Sequence, residues 1–217
     1  MQDEGDIMRS EIKINNTEKD GLINNIIETE WFFFDNVNNT GGRAWCQDDE
    51  WTFYVNRYSQ FNPFSVETLK SYKGDLDLAL SEGRNVITEK YAYMMEFTDF
   101  EYYQKHLKDN IPKVSAEKEQ LVNLIADILV EEEKKFEVEY PLFSSKGRKI
   151  EGDSEYATFR VYAVGELKTY STKTLVLYFA DLAKAAKGNR NISKEIHEMT
   201  ARFYGYKNIE DAENKIK

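Results

Sequence analysis

Apolar residues recur along this chain at three- and four-residue intervals and almost nowhere in strict alternation, the spacing of helices that bury one face. Ile23, Ile26, Ile27, Trp31, Phe34 and Val37 form the first stripe. It predicts a helix from Glu18 to Asn38, closed by Asn39-Thr40-Gly41-Gly42, since glycine suits a left-handed cap. Trp51, Tyr54, Val55 and Tyr58 share a face of a second helix, capped by Asp48 or Asp49 and stopped at Asn62-Pro63. Ser65 opens a third that ends at Gly83, and Asn85 opens a fourth carrying Ile87, Tyr91, Met94, Met95 and Phe97. A short helix at Phe100–Lys108 ends before Pro112. Ser115, with Glu117 and Glu119 in the first turn, opens a helix to about Phe136 with Leu121, Leu124, Ile125, Ile128 and Leu129 inward, as the capping pattern favours. Pro141 to Asp153 reads as the longest loop, followed by helices at Ser154–Tyr170, Thr172–Lys187, Asn191–Tyr204 and from Ile209 onward.

The fold class this predicts is all-α: a compact array of about eight to ten helices with short connections and no substantial sheet. Phe136–Tyr140 alternates but reads as the end of a helix. One helical domain spans 18–217, behind a flexible tail at 1–17 in which only Glu11–Asn15 has strand character. Trp31, Phe34, Trp51, Tyr54, Tyr91, Phe159 and Tyr162 are expected in the core. An internal echo is visible as well. Asp77-Leu-Ala79, Gly83-Arg84-Asn85 and Glu89 resemble Asp181-Leu-Ala183, Gly188, Arg190-Asn191 and Glu195, with Leu69–Tyr72 matched to Leu167–Tyr170. Duplication of a hairpin and the common grammar of helix, glycine cap, asparagine cap, helix both account for it.

Composition narrows the function classes. Of 217 residues, 41% are hydrophobic and 14% aromatic, which excludes a disordered chain, and the formal net charge of -10 argues against nucleic acid as a partner because phosphates demand clustered lysine and arginine. One cysteine, Cys46, allows no disulfide within the chain, and with no signal-like or membrane-spanning stretch a cytoplasmic protein is expected.

The candidate chemistry lies in charges inside apolar stripes. Glu30 sits among Ile26, Ile27, Trp31 and Phe34; Lys90 among Ile87, Tyr91 and Met94; Glu166 among Tyr162, Ala163 and Tyr170. Burying a lone charge costs several kcal/mol or more, so each needs a partner or a shifted pKa. If the stripes turn inward, Glu30, Lys90 and Glu166 would meet in a polar cavity and serve as catalytic groups, one carboxylate acting as general acid or base. Arg43, Arg57 and Arg84 would hold an anionic ligand. Structural ion pairs, or a lysine snorkelling to water, explain the same pattern without function.

Gly41-Gly42-Arg43-Ala44-Trp45-Cys46-Gln47-Asp48 joins a glycine turn to a helix start, where backbone N–H groups can receive an anion. It lacks the Gly-Lys-Ser/Thr ending of a P-loop. Cys46 there is either a reactive thiol or a small buried one. No metal site is expected: His106 and His197 lie in no Glu-x-x-His pair and no Cys-x-x-Cys exists, leaving only an all-oxygen site of Glu30 and Glu166. Arg190-Asn191 followed by His197 resembles the arginine–histidine pattern of helical ribonucleases, against which the acidic balance weighs.

Glu30-Trp31, Gly41 to Ala44, Cys46-Gln47-Asp48, Phe53, Arg57 and Ser59-Gln60-Phe61 resemble the start of a bacterial family described as domain of unknown function 4125. The likeness continues through Ser71-Tyr72, Asp75-Leu76, Ala79, Gly83-Arg84-Asn85, Glu89-Lys90-Tyr91-Ala92 and Met94-Met95, and again at Gly165-Glu166-Leu167, Thr169-Tyr170-Ser171 and Thr174-Leu175. It extends over roughly residues 25 to 210 and touches Glu30, Lys90 and Glu166 themselves. Relatives joined to a nucleotidyltransferase-like domain would imply a nucleotide-related substrate, although this chain lacks the paired aspartates of such a domain.

The leading expectation is a helical small-molecule-binding protein, catalytic or not, whose ligand is anionic or nucleotide-related. Gln47 and Gln60 would join the three arginines in ligand binding. No cofactor and no oligomeric state follow from the sequence. The alternatives are a non-catalytic interaction module with structural buried ion pairs, and a ribonuclease using Arg190 and His197.

Overall fold

A computed structural model describes residues 17–37, 42–152 and 157–216. The strand character at Glu11–Asn15 and the glycine turn through Gly41 lie outside the described residues. Among the described residues there are eleven α-helical segments: α1 Glu18–Asp35, α2 Glu50–Phe61, α3 Val66–Ser81, α4 Val86–Thr98, α5 Phe100–Tyr102, α6 Ala116–Glu139, α7 Pro141–Ser144, α8 Phe159–Leu167, α9 Thr172–Lys187, α10 Ile192–Phe203 and α11 Ile209–Lys215. A 3-10 turn at Trp45–Asp48 precedes α2, and a π turn at Tyr103–Leu107 continues α5. Among the described residues there is no strand, so the all-α expectation holds.

The starts follow their caps. Thr17, Asp49, Ser65, Asn85, Ser115, Thr158, Ser171, Asn191 and Asn208 each accept a bond from a first-turn backbone N–H, satisfying donors the helix itself leaves open. Three expectations need correction. Helix α1 stops at Asp35 because the Gln47 amide takes the carbonyls of Phe34 and Val37 at 2.9 and 3.2 Å. Helix α8 starts at Phe159, where Lys149 and Ile150 carbonyls bind the N–H groups of Phe159 and Arg160. The stretch expected as one long loop contains α7, whose N–H groups at Leu142 and Phe143 are received by Glu213.

The expected core was also partly misplaced. Of the seven aromatic residues named, only Phe34 is buried and the rest are half-buried; the innermost rings include Tyr72, Tyr170, Phe33, Phe61, Phe64, Phe136 and Phe203, and Leu124 faces outward. The stripes carry aromatic residues at their edges, and periodicity does not separate the centre of a face from its margin.

The echo in sequence is a repeat of four helices, in a register different from the one expected. Helices α2–α4 recur as α8–α10 at a constant separation of 106 residues, which pairs Ser65 with Ser171, Asp75 with Asp181, Arg84 with Arg190 and Glu89 with Glu195. Helix α1 recurs as α6, and its buried positions Ile23, Ile26, Ile27, Glu30, Phe33, Phe34 and Val37 fall on Val122, Ile125, Ala126, Leu129, Glu132, Glu133 and Phe136, all buried too. Local geometry repeats as well: Gly83 and Asn189 both take left-handed backbone, at φ 67° and 53°. The caps are exchanged. Asp181 accepts from Ser65 N at 2.9 Å and Thr68 Oγ1 at 2.6 Å, while Asp75 accepts from Ser171 N at 2.9 Å and Thr174 Oγ1 at 2.6 Å. Asn85 donates to the Phe33 carbonyl of α1 as Asn191 does to the Glu132 carbonyl of α6. Tyr72 packs on Tyr170 at 4.4 Å, and Tyr178 on Phe64 at 4.3 Å. Helix α4 packs on α8 of the other half, and α10 on α2, so two similar halves interlock about an approximate twofold axis.

Candidate functional site

Glu30, Lys90 and Glu166, on three different helices, do meet, and Arg57 of α2 is the hub between them. Arg57 grips Glu30 with two parallel bonds, Nε to Oε2 and Nη2 to Oε1, both 2.6 Å. Its Nη1 donates to Glu166 Oε2 at 3.1 Å and to Gln60 Oε1 at 2.6 Å, and its Nη2 also reaches Glu166 Oε1 at 3.2 Å. The guanidinium fork has five donors, and these contacts occupy them. Lys90 Nζ donates to Glu166 Oε2 at 2.7 Å and lies 3.5 Å from the centre of the Tyr162 ring. Gln60 Nε2 donates to Glu166 Oε1 at 2.6 Å. The Tyr72 hydroxyl donates to Glu30 at 2.6 Å, and that of Tyr170 to Glu166 at 2.9 Å.

All four charged residues are at most 5% exposed, and two acids balance two bases. Burial alone would raise the Glu166 carboxyl, but Arg57 and Lys90 overcome it and hold the group far below the ordinary glutamate range. Burial likewise disfavours the Arg57 cation, and Glu166 and Glu30 outweigh it. Desolvation and the adjoining carboxylates push the hydroxyls of Tyr72 and Tyr170 well up. Arg57, Tyr72 and Tyr170 are thus held protonated and Glu166 ionised, in a medium where each bond is strengthened by the low dielectric.

Of the residues expected to bind a ligand, only Arg57 and Gln60 join this cluster. Arg43 bonds Asp35 at 2.6 Å and Asp48 at 2.8 Å at the surface. Arg84 bonds Glu82 and Glu89. Gln47 is a buried plug on the carbonyl end of α1, its Oε1 accepting from Ala44 N at 2.8 Å. Arg190 pairs with Glu195, whereas His197 lies on Glu133 at 3.0 Å and stacks on Phe136. Both ribonuclease candidates thus hold separate carboxylates rather than lining a basic groove. Among the described residues no group of three or more His, Cys, Asp or Glu could hold a metal ion, and no helix is long and apolar enough to cross a membrane.

Tyr72, Tyr170 and Tyr162 complete the cluster and were not anticipated as part of it. Helical spacing placed Tyr162 and Tyr170, four residues either side of Glu166, on its face, but as apolar neighbours rather than as partners of the charges. Tyr72 meets Glu30 across 42 residues of sequence, which no local pattern encodes.

A pocket of about 230 Å3 is lined by Phe34, Val37, Ala44, Cys46, Gln47 and Tyr91. Tyr91 follows Lys90 directly, so the pocket wall and the network share helix α4. Burial raises the Tyr91 phenol, helped by Tyr162 and Cys46 and opposed by Arg148 and Arg57. The approximate twofold maps Glu30, Arg57 and Lys90 onto Leu129, Ala163 and Ile196, and Glu166 onto Gln60. Three of the four charges therefore come from the first half and Glu166 from the second, and the positions equivalent to Glu30, Arg57 and Lys90 are apolar.

A family model described as Protein of unknown function (DUF4125) matches residues 20–214. No curated protein and no solved structure matches the chain.

Proposed function

The chain belongs to the DUF4125 family, whose description fixes no chemistry, and from the geometry we propose that it is a non-catalytic small-molecule-binding protein. The ligand sits in the pocket between the end of α1, the 3-10 turn and α4. The Glu30–Arg57–Glu166–Lys90 network is its rigid backing, not proton-transfer machinery. One observation carries this reading: the pocket is lined from α1, the 3-10 turn and α4, the half that also supplies Glu30, Arg57 and Lys90, although the equivalent positions of the other half are apolar. A general acid or base needs a proton it can exchange near neutral pH. The full engagement of the Arg57 donors and the deep depression of the Glu166 carboxyl oppose that role. An anionic or nucleotide-related ligand remains compatible with it.

The test is a thermal-shift screen of nucleotides, sugar phosphates and amino acids against the wild type and a filled-pocket variant, Cys46→Phe. A metabolite that raises the melting temperature of the first and not of the second supports the reading, since stabilisation follows occupancy. Hits that persist in Cys46→Phe place the ligand elsewhere and overturn it. A second reading, an interaction module, is favoured by Trp45 and Phe32, which are 79% and 55% exposed. It becomes preferable if no metabolite stabilises the protein.

A further inference from the structure

The polar groups around the pocket are largely spent on one another. Phe34, Val37, Ala44 and Cys46 give it an apolar wall. Gln47, 1% exposed, holds its amide against the Phe34 and Val37 carbonyls and its Oε1 against the Ala44 N–H. One side chain thus takes up two carbonyls and an N–H that the backbone would otherwise offer a ligand. Arg43, next to Ala44 in sequence, is committed as well. Its Nε donates to Asp48 at 2.8 Å, and its Nη2 to Asp35 and to the Gln47 carbonyl, both at 2.6 Å. Two carboxylates against one guanidinium leave this turn net negative. Lys90, the neighbour of Tyr91 on α4, is bound to Glu166.

One donor of the lining is left over. The Tyr91 hydroxyl has no hydrogen-bond partner among the described residues. Burial raises its phenol, so it keeps its proton at neutral pH and can donate it to a bond. The Cys46 thiol beside it in the lining is only a weak donor.

Resting on the binding reading above, we propose that the pocket takes an uncharged ring carrying one hydrogen-bond acceptor, with the Tyr91 hydroxyl as its donor. The volume agrees: a dry apolar cavity of roughly 150 Å3 accommodates benzene, and this one, at about 230 Å3, has room for a single substituted ring. Phe34 and Tyr91 bring aromatic rings to the wall, which suits a planar guest. A carboxylate or phosphate in the same space would give up its water with no cation of the lining to receive it, beside a turn that is already negative. A larger anionic ligand would have to leave its charged end in solvent.

Acetophenone, ethylbenzene and benzoate are of similar size and differ in the group the pocket should read. Titrated into the 15N-labelled full chain, acetophenone is expected to shift the amide resonances of Ala44, Cys46 and Tyr91 to saturation. Ethylbenzene should do so about fivefold more weakly, the gap one neutral hydrogen bond produces, and benzoate should not shift them. Tyr91→Phe should close the gap, since only the acceptor loses a partner, and Cys46→Phe should abolish binding of both neutral rings. If benzoate binds as tightly as acetophenone, if the gap is absent from the wild type or persists in Tyr91→Phe, or if none of the three reaches these residues, the proposal is overturned. The wild-type comparison decides alone should Tyr91→Phe not fold. In each of those failures, metabolite hits lost in Cys46→Phe would leave the binding reading standing, whereas hits that persist there overturn both.

Discussion

Discharging the buried network should show whether the fold needs it. Glu166→Gln is nearly isosteric, but it leaves Arg57 and Lys90 with one carboxylate between them and turns an amide N–H toward their donors. Breaking a buried pair in this way costs about 3–5 kcal/mol. In a chain of 217 residues each kcal/mol moves the melting temperature by roughly 2–4 °C, so a fall on the order of 6–20 °C is expected. The second half supplies the contrasting variant. Glu30→Leu and Lys90→Ile adopt the residues found at Leu129 and Ile196, and Glu166→Gln adopts that of Gln60. Arg57→Met preserves volume, and Tyr72→Phe with Tyr170→Phe leaves no hydroxyl without an acceptor. Replacing a complete buried ion network by well-packed apolar groups ranges from neutral to about 1–4 kcal/mol stabilising. Urea denaturation followed by far-ultraviolet circular dichroism should therefore find the sixfold variant at least as stable as the wild type and far above the single variant. If the sixfold variant instead loses the sum of its single losses, the charges are holding the fold together and the argument from the second half fails.

Other perturbations bear on particular contacts. Because Glu166 titrates far below an ordinary glutamate in the folded state, its contribution is complete above about pH 5 and drains away as pH falls toward the folded value; urea midpoints from pH 7 to pH 3 should decline less in Glu166→Gln than in the wild type. Asp75→Ala and Asp181→Ala each remove two bonds from the start of the opposite helix, so both should cost about 1–2 kcal/mol, and a large inequality between their urea midpoints would count against the twofold relation. A Cβ at Gly165 would come within 2.5 Å of Met94 Cγ and 3.0 Å of the Lys90 carbonyl; Gly165→Ala should cost about 1–3 kcal/mol by overpacking and disturb amide resonances of α4 first.

Much of the helical pattern could be read locally, because caps and periodicity are short-range. Ser65, Asn85, Ser115 and Asn191 announced four starts, and the placement of Glu30, Lys90 and Glu166 within apolar stripes identified charges that are buried together. What the stripes did not contain is who sits opposite. Arg57 was one of three arginines eligible as a partner, and only the crossing of α1, α2 and α8 makes it the hub while leaving Arg43 and Arg84 outside. The start of α8 was missed because carbonyls of the preceding loop define it. The repeat was missed in register because matching short words, such as Leu69–Tyr72 with Leu167–Tyr170, looked better than the spaced positions that carry the caps. Ser59 is understood only afterwards: its hydroxyl is buried and unpaired, and it occupies the place of Gly165, where α8 needs a small residue against α4.

Interlocking has a cost for autonomy. Since α4 lies on α8 and α10 on α2, neither set of four helices would shield its own interior if it were made by itself. A chain opened between Asp109 and Lys113 would give two fragments that are poor solo folders but natural mates. Each would arrive with an aspartate that finishes its partner, so either set of four helices made alone would be driven to pair with a second one.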